Sequence, residues 1–94
     1  MYKVECYHYR EAWVKGDLED ESVLVFSELF KTRKAAKEYI ENKVRGKSNV
    51  SRSYHRGAET SYVWYHTGHK WIHENTGETC EECYTYTIDK VKPK

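Results

Sequence analysis

The chain has 94 residues, of which 33% are charged and 15% aromatic, and its formal net charge is +1. A near-neutral balance provides no general attraction to nucleic acid or to an acidic membrane surface, and so many rings exclude the aromatic-poor composition of disordered chains. The length suits a single domain over residues 1–94 with one modest core built more from rings than from aliphatics.

Three cysteines cannot all pair internally, the opening MYKVECYHYR lacks an apolar signal core, and no apolar run is long enough for a membrane span. Reduced thiols and a cytoplasmic setting are the expectation.

Tyr2, Val4 and Cys6 alternate with Lys3 and Glu5, so residues 2–14 open as a strand. From Tyr7 the apolar parity changes, which predicts a bulge or a strand covered on both faces. Lys15-Gly16-Asp17 reads as a turn and 17–21 as an acidic loop, followed by a buried second strand at Val23-Leu24-Val25-Phe26.

A helix follows. Thr32 is a suitable N-cap, Gly46 a suitable residue just past the C-terminus, and Ala36, Tyr39, Ile40 and Val44 form one apolar stripe. Leu29 and Phe30 stand where they can seal the helix entrance. Glu41 and Arg45 have the spacing of a helical ion pair, whereas Lys31, Arg33 and Lys34 crowd the end where positive charge opposes the dipole. Residues 46–59 read as a polar, mobile loop, and 91–94 as a frayed tail.

The stretch from Tyr62 to Ile88 concentrates the chemistry. It holds two of the three tryptophans and two of the three cysteines. Tyr62-Val63-Trp64-Tyr65 is strongly strand-forming, and Thr67-Gly68 has the length of a two-residue turn. A hairpin about that turn pairs Trp64 with Trp71 and Tyr62 with His73, and places Tyr62, Trp64, His66, His69, Trp71 and His73 on one face. A third strand follows at Tyr84, Tyr86 and Ile88. The expected architecture is therefore α+β: about five antiparallel strands in the order β-β-α-β-β-β, with one helix packed on one face.

Cys80-Glu81-Glu82-Cys83, placed on a turn, is half of a zinc site, for which His73 is the reachable histidine and Cys6, His8 or His55 would supply a fourth ligand. Without a second half-site, the expectation is no cofactor and two reduced cysteines at a strand entry. Thiol redox chemistry is disfavoured, because Glu81 and Glu82 oppose thiolate formation and no helix follows. There is no nucleophile elbow, Gly-rich phosphate loop or H-E-x-x-H, so we expect no enzyme. Lys31, Arg33 and Lys34, joined to Arg52, Arg56 and the hairpin rings, would make a single-strand nucleic-acid surface with or without zinc, which is the alternative reading.

The preferred reading is a protein-binding module. Tyr and Trp dominate binding hot spots, and this chain has more rings than one helix and five strands can hide. The expected contacts are Arg52, Tyr54, Arg56, Tyr62, Trp64 and Trp71, with acidic 17–21 and basic 45–56 steering a partner. Self-association is compatible with the same surface.

The stretch Phe30-Lys31-Thr32-Arg33-Lys34-Ala35-Ala36-Lys37-Glu38-Tyr39-Ile40 resembles the strand-to-helix unit F-x-T-x-x-x-A-x-x-Y-I of many small bacteriophage and plasmid accessory proteins. That resemblance implies a viral early or anti-defence protein in the host cytoplasm that binds and inhibits, or redirects, a host protein complex. It carries no site residues with it.

Overall fold

The computed structural model describes residues 1–14, 17–54, 60–72 and 79–92, with side chains described outside 11–20 and 68–81. The element order is β1 (Tyr2–Val14), β2 (Asp17–Phe30), α1 (Arg33–Val44), β3 (Val50–Ser53), β4 (Thr60–Ile72) and β5 (Thr79–Lys90). The strands form one antiparallel sheet in the order β2-β1-β5-β4-β3, and α1 lies on one face of it. This is the expected α+β arrangement.

Alternation explains which face the helix covers. Direct cross-strand pairing aligns Val4, Ile88 and Ser61 in one row, and Cys6, Tyr86 and Val63 in the next. These positions, with Tyr65, meet Ala36, Ile40 and Val44 of α1 to form the buried core. Phe26, Phe30 and Tyr39 close its β2 side, with Tyr39 edge-on to Phe26 at 6.1 Å between ring centroids. The buried centre is mostly aliphatic, with Tyr65 and Tyr86 its two rings, and the other rings pack partly buried around it, which corrects the expectation of a core built more from rings than from aliphatics.

The helix ends obey the capping signals. Thr32 accepts a hydrogen bond from the Ala35 amide at 3.1 Å, and Gly46 takes φ +81° just beyond the last turn, where an L side chain would be strained. The basic first turn has a structural explanation: the Arg33 guanidinium reaches across and donates to the buried Ser61 hydroxyl at 2.7 Å. Glu41 does not pair with Arg45 as its helical spacing suggested. It receives a two-pronged bond from Arg52 on β3 at 2.8 and 2.9 Å, which clips the helix to the sheet edge.

β1 has no extra residue of its own and pairs with β5 in unbroken register, so its parity change places Tyr7 and Tyr9 on the face opposite Val4 and Cys6; the bulge beside it lies in β2, where Val25 is the extra residue. Three further expectations are corrected. Acidic residues 17–21 lie in β2, not in a loop, because β2 pairs with β1 all the way from Asp17 opposite Val14. The segment 46–59 includes β3, a four-residue strand that sequence polarity concealed. It forms as an edge, donating its pairing to β4 with Val50 on the core side. The end of the chain is tied to its start, with the Val91 amide donating to the Met1 carbonyl at 2.8 Å; residues 93–94 fall outside the described residues.

The third correction concerns the hairpin. Thr67-Gly68 is not a turn: β4 runs through it as one strand, and its partner is β5. His66 lies opposite Cys83 and Lys70 opposite Glu81, so the interval accommodates extra residues on β4 only. Glycine inside a strand marks a bulge, and that is what the Thr-Gly signal denotes here. The pairing with β5 supplies a ladder along most of the strand, which a five-residue hairpin arm cannot match. The chain reverses instead between Ile72 and its partner Thr79.

Candidate functional site

Among the described residues, no helix covers the face of the sheet opposite α1. Register assigns its rows: Trp64, Thr85, Tyr7 and Leu24; Tyr62, Thr87, Glu5 and Ser27; His66, Cys83, Tyr9 and Ser22; and Thr60, Asp89, Lys3 and Leu29. Ser51 and Ser53 of β3 extend the first two rows beyond Trp64 and Tyr62. Large rings thus stand over a floor of serine, threonine and cysteine. Tyr62 remains 44% exposed, His66 is exposed, and Trp64, Tyr7 and Tyr9 are half-buried.

Few charges interrupt this face, and they are matched. Lys3 Nζ lies 3.2 Å from Glu5, Tyr7 donates its hydroxyl to Glu5 at 3.0 Å, and Thr60 donates to Asp89 at 2.5 Å. Among the residues whose side chains are described, Lys3 is the one lysine or arginine on this face, and register adds Lys70, opposite Glu81, farther along β4. Thr87 is the exception to this matching: its hydroxyl is buried between strands without a hydrogen-bond partner. A buried hydroxyl without a partner is costly.

The structure divides the expected contact set. Tyr62 and Trp64 lie on the open face, whereas Arg52 pairs opposite Val63 and is therefore on the helix side of β3. Tyr54 follows Arg52 toward α1, donating its hydroxyl to Glu41 at 3.3 Å with Lys37 Nζ 4.6 Å from its ring centroid. Burial, reinforced by Glu41, pushes the Tyr54 phenol up to about 12. Arg52 and Tyr54 thus act first as a clasp between β3 and α1. Trp71 is opposite Cys80 rather than Trp64, with its side chain outside the described set; Arg56, His55 and His73 fall outside the described residues.

The alternative reading with zinc places Cys80 and Cys83 on a turn. Both lie within β5, paired opposite Ala12 and Tyr9 of β1 in an unbroken register. Positions three apart in a strand fall on alternate faces, so this backbone does not present the C-x2-C chelate that was read from spacing. Cys83 itself is buried, with its sulfur 3.6 Å from the Tyr84 carbonyl oxygen. Cys6 is buried in the core, where desolvation raises its thiol pKa.

A second group, which sequence spacing did not reveal, lies where the helix cover ends. His8 Nε2 meets Glu82 at 2.5 Å across β1 and β5, the His8 ring is 4.8 Å from that of Tyr84, and Tyr84 stacks on Tyr65 at 5.5 Å. Beside it, Lys47, Ser48, Tyr65, His66, Thr67 and Tyr84 line a shallow cleft of about 270 Å³. Its size lies just below the range of small-molecule sites. The partners in the His8–Glu82 pair are 74 residues apart, so no local motif could announce them.

No family model, curated protein or solved structure matches the chain. Among the described residues, no helix is long and apolar enough to cross a membrane.

Proposed function

We propose that this chain is a non-enzymatic protein-binding module whose open sheet face, centred on Tyr62 and Trp64, occupies a surface of a larger protein partner. The observation that carries this reading is an aromatic face with few basic residues: Lys3 is paired with Glu5, and Lys70 falls opposite Glu81 in the register. Exposed tyrosine and tryptophan over small polar residues is the composition of a binding hot spot. A single-strand nucleic-acid platform also uses rings, but it combines them with a basic groove that follows the phosphates. The phage-protein resemblance of residues 30–40 extends the proposal to a phage-encoded inhibitor or modulator of a host protein complex.

The test is affinity capture from bacterial lysate with the wild type and with a folded Tyr62→Ala/Trp64→Ala variant, alongside oligonucleotide titrations at two salt concentrations. The reading requires a captured protein that the variant loses. Unchanged capture by the variant rejects the open face, and steeply salt-dependent oligonucleotide binding replaces the proposal with the nucleic-acid reading.

A further inference from the structure

The two edges of the sheet are treated differently. β3 is an edge of four residues, short enough to offer little ladder, whereas β2 is an edge of 14 residues with β1 as its only neighbour. From Glu21 to Leu29 every residue except Phe26 is exposed, including Val23 at 48%, Leu24 at 49%, Val25 at 52% and Leu29 at 58%. Long edges with exposed apolar residues are templates for pairing with another strand, and natural proteins usually block them with lysine, proline or brevity. The bulge at Val25 distorts the ladder toward β1, but β2 has neither lysine nor proline.

Its charge is of one sign. β2 carries Asp17, Glu19, Asp20, Glu21 and Glu28 and no basic residue, in a chain of net charge +1. A second copy is a poor occupant on that ground. Centring a two-fold antiparallel pairing on Leu24, or between Leu24 and Val25, sets Glu28 opposite Asp20 or Glu21, and like charges directly opposite destabilise a strand pair. A basic segment inverts the sign of every such contact.

We propose that the β2 edge is a strand-addition site for an extended, apolar peptide segment flanked by lysine or arginine, pairing antiparallel along Glu21–Glu28. Main-chain hydrogen bonds to the free side of β2 supply affinity, and side-chain alternation with the acidic flanks supplies selection. The apolar residues of the incoming strand lie against Val23 and Leu24. The edge borders the open face, since Leu24 ends the Trp64 row, but β1 and β5 stand between β2 and the strand of Tyr62 and Trp64, and the pairing does not depend on those two rings.

The test uses a fluorescent peptide, KRTVTVTRK, its charge-reversed counterpart EDTVTVTDE, and a copy of the first N-methylated at alternate residues. Anisotropy titrations against the full chain should show saturable binding of the basic peptide, weakened at least tenfold by charge reversal, by N-methylation and by Glu21→Lys/Glu28→Lys. The Tyr62→Ala/Trp64→Ala variant should bind it as the wild type does. The proposal is overturned by absence of saturable binding, by indifference to N-methylation, or by loss in the Tyr62/Trp64 variant with retention in the Glu21/Glu28 variant. Sedimentation equilibrium should give a monomer; a dimer dissociated by substitutions in β2 would assign the edge to a second copy instead.

Discussion

Ile40 is the keystone of the helix–sheet contact, and its truncation offers the sharpest test of the fold. It is fully buried, one turn from Ala36 and one from Val44, and shares its cluster with Val4, Val63, Tyr86 and Ile88. Ile40→Ala removes three carbons, worth about 0.8 kcal/mol each on transfer, and leaves a cavity that a rigid sheet cannot collapse to fill. The expected loss is about 3–4 kcal/mol, within the ~2–5 kcal/mol range of such truncations. A chain of this size has a total stability of about 5–14 kcal/mol, so this one substitution removes between about a fifth and about four-fifths of the margin. Urea unfolding followed by tryptophan fluorescence should show a large fall in midpoint at unchanged slope, and thermal unfolding a drop of about 12–25 °C. Ile40→Val should cost about 1 kcal/mol, and Glu38→Ala, at an exposed site on the same helix, less than about 0.5 kcal/mol. If Ile40→Ala falls within about 1 kcal/mol of the wild type, α1 is not packed where the structure puts it.

Other outcomes follow from the titrating groups. Arg52, through its hydrogen bonds, holds the Glu41 carboxyl below its ordinary value, so the contribution of this pair is present above pH 4.5 and lost as pH falls through the lowered value. Both partners are substantially exposed, which limits the effect to about 0.2–1 kcal/mol; Glu41→Gln should lower the urea midpoint at pH 7, and the difference from the wild type should shrink as the pH is lowered below 4.5. Burial raises the phenols of Tyr54, to about 12, and of Tyr86 further. The unfolded chain therefore releases these protons first, and stability should decline from about pH 10 upward, with Tyr54→Phe flattening the decline in denaturant series at pH 8 to 11. Desolvation of Cys6 keeps its thiol protonated, so peptide mapping after brief iodoacetamide treatment at pH 8 should find Cys6 unmodified in native protein and modified in urea. Rapid native labelling of Cys6 would place it outside the core.

Much of the fold was legible because local chemistry and tertiary packing agree there. Thr32, Gly46 and the Ala36–Ile40–Val44 stripe are determined within a dozen residues, and the structure uses all of them. The parity change at Tyr7 marked apolar residues on both faces of β1, while the bulge beside it belongs to β2. The reading went astray where a local signal competed with a distant partner. Thr67-Gly68 satisfies the length rule for a turn, but β5 offers a longer ladder from the far side of residues 73–78, and no window around Gly68 contains that information. Glu41 likewise exchanges its helical neighbour Arg45 for Arg52, whose planar fork bonds both carboxylate oxygens. β3 was invisible because a short edge strand needs only one core-facing residue, Val50, and its serines look like loop. Of the site, the rings were identifiable by type; that Tyr62 and Trp64 share a face from which Arg52 is excluded depends on the β3–β4 register.

A mismatch of lengths underlies both proposed surfaces. α1 has 12 residues, about 18 Å at 1.5 Å per residue. β1 and β4 have 13 residues each, about 43 Å at 3.3 Å per residue, in keeping with a longest dimension of 46 Å. One helix therefore covers less than half the length of one face, and His8, Tyr65 and Tyr84 mark where its cover stops. Beyond them, and across the whole opposite face, cross-strand pairs must hold the sheet with little help from a buried core. A chain selected only for stability would shorten these strands to match its helix. Strands this long, with rings left on an open face and an acidic, apolar edge left unblocked, make sense if the surface they create is itself what the protein uses.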